Sequence, residues 1–184
     1  MSDLSSLLSY LRDPKLAAHA TSALPAWLWS ADATRVLWAN PTAAAAFDFA
    51  SPAAFAGYTI DPKGSAALQI ARIAGTLPLG APPRLERLRG FGASFGRALM
   101  CGCSRISLED RTPAILVLAT ELVGAGLPLA ERVRRLGIGI DAPIAFFTGS
   151  GDLMHATPDS QARLLGLNSL AAIGADKLAG EISV

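Results

Sequence analysis

Cys101-Gly102-Cys103 sets two thiols two positions apart, so on a strand both point to the same side. Two thiolates can begin a tetrahedral metal site, but such a site needs two further ligands. The sequence holds only two histidines, His19 and His155, and they fall in different segments. The pair therefore reads as small apolar residues lining a sheet face, and no metal is expected. Gly90, Gly92 and Gly96 stand close enough together to suggest a phosphate cradle. That chemistry needs a helix N-terminus directly after the loop. Here a strand is expected to follow, so the glycines read as a connection between strands. Arg84, Arg87, Arg89 and Arg97 gather nearby, with Glu86 among them. A formal net charge of +1 gives no long-range pull toward nucleic acid, and the cluster reads as a solvated sheet edge. No paired carboxylates, and no nucleophile beside a histidine, stand at useful spacing. No catalytic residue is expected in this chain.

The elements that position these residues follow from apolar period and punctuation. Leu4, Leu7, Leu8 and Leu11 form one stripe of a helix. Asp13-Pro14 restarts a helix, with Asp13 as cap and Pro14 at its first position, and Lys15 to Leu24 is expected to continue it. Trp27-Leu28-Trp29 and Val36-Leu37-Trp38 read as a hairpin around Asp32-Ala33-Thr34. Asn40-Pro41 and Ser51-Pro52 each open a short helix. Ser65 to Ala74 is a further helical run with Leu68, Ile70 and Ile73 apolar. Arg84 to Phe91, Ala98 to Leu108 and Ala114 to Ala119 read as strands, the last apolar on both faces and therefore central. Leu129, Val133 and Leu136 share one face of a helix that Gly137 and Gly139 end.

Length and composition bound the classes. The chain of 184 residues has room for one domain and flanking elements. Hydrophobic residues make up 51% and the mean hydropathy is +0.38, much of it from alanine. The most apolar window, Pro113 to Ala130, is broken by Glu121, Gly124, Gly126 and Pro128, so no membrane span is expected. Met1-Ser2-Asp3-Leu4 has no basic run ahead of an apolar core, so no signal peptide is expected and a reducing cytoplasm is the default.

One stretch is written twice. Pro25 to Phe47 returns as Pro143 to Leu164, with a one-residue gap in the turn. Proline, aromatic pair, polar turn, apolar strand, proline and helix come in the same order. An offset of more than a hundred residues exceeds the ~20–50 residue period of solenoids. The pattern reads as two copies of one module, the second cut off, within a modular protein. The expected division is an N-terminal helical segment (1–24), a first module (25–121), a linker helix (122–142) and a partial second module (143–184).

The aromatic strand, the Asp-containing turn and the Asn40-Pro41 helix start resemble the first third of a PAS domain. The resemblance covers residues 25–121 and again 143–184. It implies an α+β fold: a five-stranded antiparallel sheet with helices on one face, joined to its neighbours by amphipathic helices. It also implies a pocket between sheet and helices, whose candidate lining is Trp27, Trp29, Ile70, Ile73, Leu99, Cys101 and Val117. Core packing is the competing reading of those residues. PAS haem sensors use a histidine on the helix before the third strand, and Ser65 to Ala74 has none. Flavin photosensors use an Asn-Cys-Arg motif, also missing, so no cofactor is expected and a small molecule stays open. The Ala-rich, Arg-over-Lys style is similar to cytoplasmic sensor histidine kinases of bacteria, above all those governing cell cycle and differentiation. The chain has no phosphoacceptor histidine followed by Glu and Pro, and no ATP lid.

The resemblance implies a sensory module that relays ligand or partner binding through Leu129, Val133 and Leu136 to a kinase domain in cis and a response regulator. The alternative is a ligand-free module that dimerises the kinase, or localises it by docking. Leu4, Leu7, Leu8 and Leu11 either fold back on their own sheet or pair with a second chain, the homodimer being the expected state.

Overall fold

The computed structural model describes residues 9–92 and 98–175. Its first unit is a five-stranded antiparallel sheet in the order β2-β1-β5-β4-β3. The strands are β1 (Ala26–Ser30), β2 (Val36–Ala39), β3 (Arg84–Arg89), β4 (Ala98–Ser107) and β5 (Pro113–Ala119). A short helix α1 (Pro14–Ala17) precedes the sheet, and α2 (Pro41–Ala46), α3 (Pro52–Ala56) and α4 (Ser65–Thr76) lie between β2 and β3. The fold is therefore α+β in the expected element order. β5 is central, as its two apolar faces require: Trp27 pairs with Val117 on one side and Cys103 pairs with Val117 on the other.

Local chemistry starts the helices. Asp13, Asn40 and Ser51 each accept a backbone N–H at the N-terminus that they cap, and a proline follows each. The expected helix over Lys15 to Leu24 stops at Ala17. Tighter turns replace it, with His19, Ala20 and Ser22 donating N–H to the carbonyls three residues back. Asn40 causes the break in part: its Nδ2 donates to His19 O at 3.0 Å and Leu24 O at 2.9 Å.

Both faces of the sheet are covered, which corrects the expectation of helices on one face. The inner face, with Trp27, Trp29, Cys101, Cys103, Ile115 and Val117, packs with Ile70 and Ile73 of α4. The outer face, with Ala26, Leu28, Trp38, Ile106, Ala114 and Leu116, packs with Leu16 of α1, which is fully buried. Tyr10 and Leu11 join that outer cluster. Leu11 thus folds back on its own sheet, while Leu4, Leu7 and Leu8 lie outside the described residues. Among the described residues no helix is long and apolar enough to cross a membrane.

The repeat in the sequence is a repeat in the structure. Helix α5 (Leu129–Leu136) leads to a second hairpin, β6 (Ala145–Phe147) and β7 (Leu153–Ala156), and to α6 (Pro158–Leu164). Register matches register: Trp27↔Ala39, Leu28↔Trp38 and Trp29↔Val36 correspond to Ala145↔Ala156, Phe146↔His155 and Phe147↔Leu153. Both hairpins carry the irregularity between the second and third of these pairs. The turns match as well. Ser30 N–H donates to Arg35 O and Arg35 N–H to Ser30 Oγ; Thr148 and Asp152 repeat both bonds at 2.8 and 3.0 Å. Asn40 Oδ1 accepts from Ala26 N–H, and Thr157 Oγ1 accepts from Ile144 N–H and donates to Ala142 O.

The copies differ in burial. All five residues of β1 are buried, while all three of β6 are only half-buried. β1 has β5 on its second edge, whereas the second sheet has two strands among the described residues.

Candidate functional site

The seven residues expected to line a pocket are brought together. Trp27, Trp29, Ile70, Ile73, Leu99, Cys101 and Val117 belong to one buried cluster, each at 2% exposure or less. Aromatic rings from other segments pack against the two tryptophans. Phe91 sits with its ring 5.3 Å from Trp27 and 5.9 Å from Trp29. Phe47 meets Trp27 at 6.0 Å and Phe91 at 5.8 Å, both edge to face. Phe55 stacks on Phe49 at 4.7 Å. Such pairs add about 0.5–1.5 kcal/mol each beyond burial.

Phe91 reaches the core because Gly90 and Gly92 both adopt φ of +76°. A Cβ at Gly92 would collide with the Ala46 backbone. The signal in the sequence was a Phe bracketed by glycines, and the glycines serve conformation, not phosphate. Arg97 and the rest of 93–97 lie outside the described residues. Trp27 Nε1 donates to Ala43 O at 3.2 Å. Trp29 Nε1 is buried and has no acceptor among the described residues.

The thiols behave as core. Burial pushes Cys101 up to about 12, with Cys103 and Glu121 adding to it. Burial likewise pushes Cys103 up to about 12, Glu86 adding and Arg84 and Arg72 opposing. Neither is a thiolate nucleophile near neutral pH. No group of three His, Cys, Asp or Glu among the described residues is placed to hold a metal. The arginines near β3 are partly neutralised: Arg72 and Arg84 both reach Glu86 at 2.8 Å, and hydrogen bonding to Arg72 holds that carboxyl below its usual range.

The second candidate is the linker helix. Val133 is buried, Leu136 is half-buried and Leu129 is 45% exposed, so the expected stripe is only partly covered. α5 packs on α2 and α3 of the first unit and on β7 of the second. Leu136 meets Leu11, Trp38, Pro52 and Phe146 around an apolar crevice of about 20 Å³. That is room for about one water molecule, far below the ~300 Å³ of small-molecule sites. On the polar side Glu131 binds Arg134 through two bonds of 2.8 Å and Arg135 at 2.7 Å. These bonds, Arg134 first, bring the Glu131 carboxyl down to about 2. A shallow groove of about 330 Å³ lies on the outer side, between His19, Ser22 and Leu24 and the end of β5.

No family model matches the chain, and no curated protein and no solved structure is similar to it.

Proposed function

We propose that the chain is a PAS-like regulatory region of a cytoplasmic two-component signalling protein. In this reading α5 carries a change in the first unit to the second, and on to a histidine kinase domain in cis that serves a response regulator. Three features support the PAS likeness: five antiparallel strands, a helical block between the second and third, and an amphipathic helix after the fifth. The observation that carries the reading is the seat of α5, which holds Val133 buried while it touches α2, α3 and β7 together. A helix gripped by both units transmits a change wherever two arrangements of it differ in contacts.

The test fuses residues 1–184 to a histidine kinase core and compares autophosphorylation with and without Val133→Asp. The relay predicts altered basal autophosphorylation while residues 25–121 keep their amide protection. Unchanged autophosphorylation with a loosened second unit would overturn it.

One observation favours protein contact over a small molecule as the input. Phe47 and Phe91 set their rings against Trp27, and Phe91 also meets Trp29, within the buried cluster that holds Ile70 and Val117. On this second reading the chain docks or dimerises to localise the kinase. Native mass spectrometry should then find no bound mass, and Leu7→Asp should abolish self-association. A retained small molecule of defined mass would return the input to a ligand.

A further inference from the structure

The outer face of the first sheet is covered over part of its area. Tyr10, Leu11 and Leu16 pack in one cluster with Leu28, Trp38 and Leu116. The same face continues through Ala26, Leu118, Gly102 and Leu85, which pair in that order across β1, β5, β4 and β3. Here the groove of about 330 Å³ opens, with Ala26, Gly102 and Leu118 beneath it and Leu24 and Pro25 beside it. Leu24 is 37% exposed, and Leu85, at the end of the row, is 66% exposed.

Gly102 keeps the floor of this groove flat. It lies in the middle of β4, where a glycine weakens the strand. Its φ is outside the left-handed region. A Cβ there would meet Pro83 Cβ at 3.9 Å and Leu118 O at 4.0 Å, both ordinary contacts. Neither backbone conformation nor crowding requires the glycine. Its missing side chain leaves open floor.

The wall is fixed from behind by buried polar groups. Asn40 Nδ2 donates to His19 O and Leu24 O, and Thr42 Oγ1 donates to Ser22 O at 3.0 Å. Asn40 and Thr42 are both buried. These bonds use three carbonyls of the wall, so its side chains are left to present donors. Ser22 Oγ accepts from Leu24 N–H at 3.0 Å, which leaves its O–H to give. The half-buried His19 imidazole has no hydrogen-bond partner among the described residues. Thr120 Oγ1 already donates to Met100 O. None of the described lining residues is acidic, and Glu121, next to Thr120, acts on Cys101 of the inner face.

We infer that this groove binds a small aromatic carboxylate. The ring lies flat on Ala26, Gly102 and Leu118, and the carboxylate accepts from His19 N–H and Ser22 O–H. The volume of about 330 Å³ stands at the lower end of the ~300–1,000 Å³ of small-molecule sites, which suits one or two fused rings. Bonds from these donors to an ionised acceptor are stronger than bonds to a neutral one, so the site selects for negative charge. The groove lies on the opposite face from the aromatic cluster around Trp27, and the inference does not depend on any kinase output.

The probe is indole-3-acetate, and its control is tryptamine, which has the same ring and a positive charge. Each is titrated into the full chain while backbone amide shifts are followed by NMR. The expected result is saturable shifts at Gly102, Leu118 and Thr120 with a Kd of about 1 mM or below, and tryptamine weaker by about tenfold or more. Gly102→Leu sets a side chain across the floor and should abolish the shifts while β4 keeps its amide protection. His19→Ala should weaken indole-3-acetate by about tenfold and leave tryptamine unchanged, a discrimination that a merely structural loss would not produce. That arm holds even if the Gly102 variant misfolds. Absence of saturable binding, equal binding of the two probes, or shifts confined to residues away from the groove overturns the inference. Dilution-dependent shifts at the same residues without probe would also overturn it, since a second copy then occupies the groove.

Discussion

Trp27 and Trp29 lie side by side on the inner face of β1, yet among the described residues the Trp27 indole has an acceptor, Ala43 O, and the Trp29 indole has none. Both are fully buried and both touch Phe91. The pair separates ring packing from polar satisfaction. Trp27→Phe loses ring volume and leaves a buried carbonyl short of a donor, while Trp29→Phe removes a donor that had no acceptor. Urea unfolding should show Trp27→Phe costing about 1–2 kcal/mol more than Trp29→Phe. Equal losses would mean that the Trp27 bond contributes nothing.

Asn40 ties the front of the first unit together, accepting from Ala26 and Ala43 N–H and donating to His19 and Leu24 O. Asn40→Ala should cost about 2–4 kcal/mol, more than a helix cap alone. Asn40→Asp keeps the acceptor and loses the donors, so it should fall between. Thr157→Ala, the matching change in the second unit, should loosen only 143–175, read as faster amide exchange there with the unfolding midpoint of the first unit unmoved.

Two glycines should respond in opposite directions. Gly92 has φ +76° and the Ala46 backbone against the place of a Cβ, so Gly92→Ala should cost several kcal/mol or displace Phe91. Gly75 lies within α4 with open space where a Cβ would stand. Gly75→Ala should therefore stabilise by about 0.5–1 kcal/mol, measured as a raised Tm.

The thiols give a pH dependence whose sign follows from their burial. Folding raises Cys101 and Cys103 from 9.0 to about 12, so between those values the folded chain retains protons that the unfolded chain has released. Fewer protons bound in the unfolded state means that stability falls as pH rises. The contribution is full below pH 9 and is lost toward pH 12. The urea midpoint should decline across that range, and the decline should be shallower in Cys101→Ala/Cys103→Ala. Native protein near neutral pH should resist thiol alkylation until it is unfolded.

What could be read from the sequence was what short-range chemistry determines. Asp13-Pro14, Asn40-Pro41 and Ser51-Pro52 announce helix starts because cap and proline act on the adjacent turn. The doubled hairpin was visible because both copies keep the order of proline, aromatic pair, polar turn, apolar strand and proline. The stop at Ala17 was hidden, since the Asn40 amide that takes His19 O and Leu24 O comes from another part of the chain. Leu68, apolar and on the expected helix, is 58% exposed because α4 turns Ile70 and Ile73 to the sheet. Phe91 was hidden for the same reason: a glycine pair announces a turn but not where it delivers the ring. The candidate pocket residues fall in one buried cluster, and the rings of Phe47 and Phe91 that pack on Trp27 come from segments that periodicity does not mark.

The central place of β5 has a consequence during synthesis. Trp27 must wait for Val117, its neighbour in the sheet, until nearly the whole first unit has left the ribosome. Until then the front hairpin of the nascent chain has its turn, its cap and one bare edge. The second hairpin, with β6 half-buried beside β7, is a standing picture of that interval.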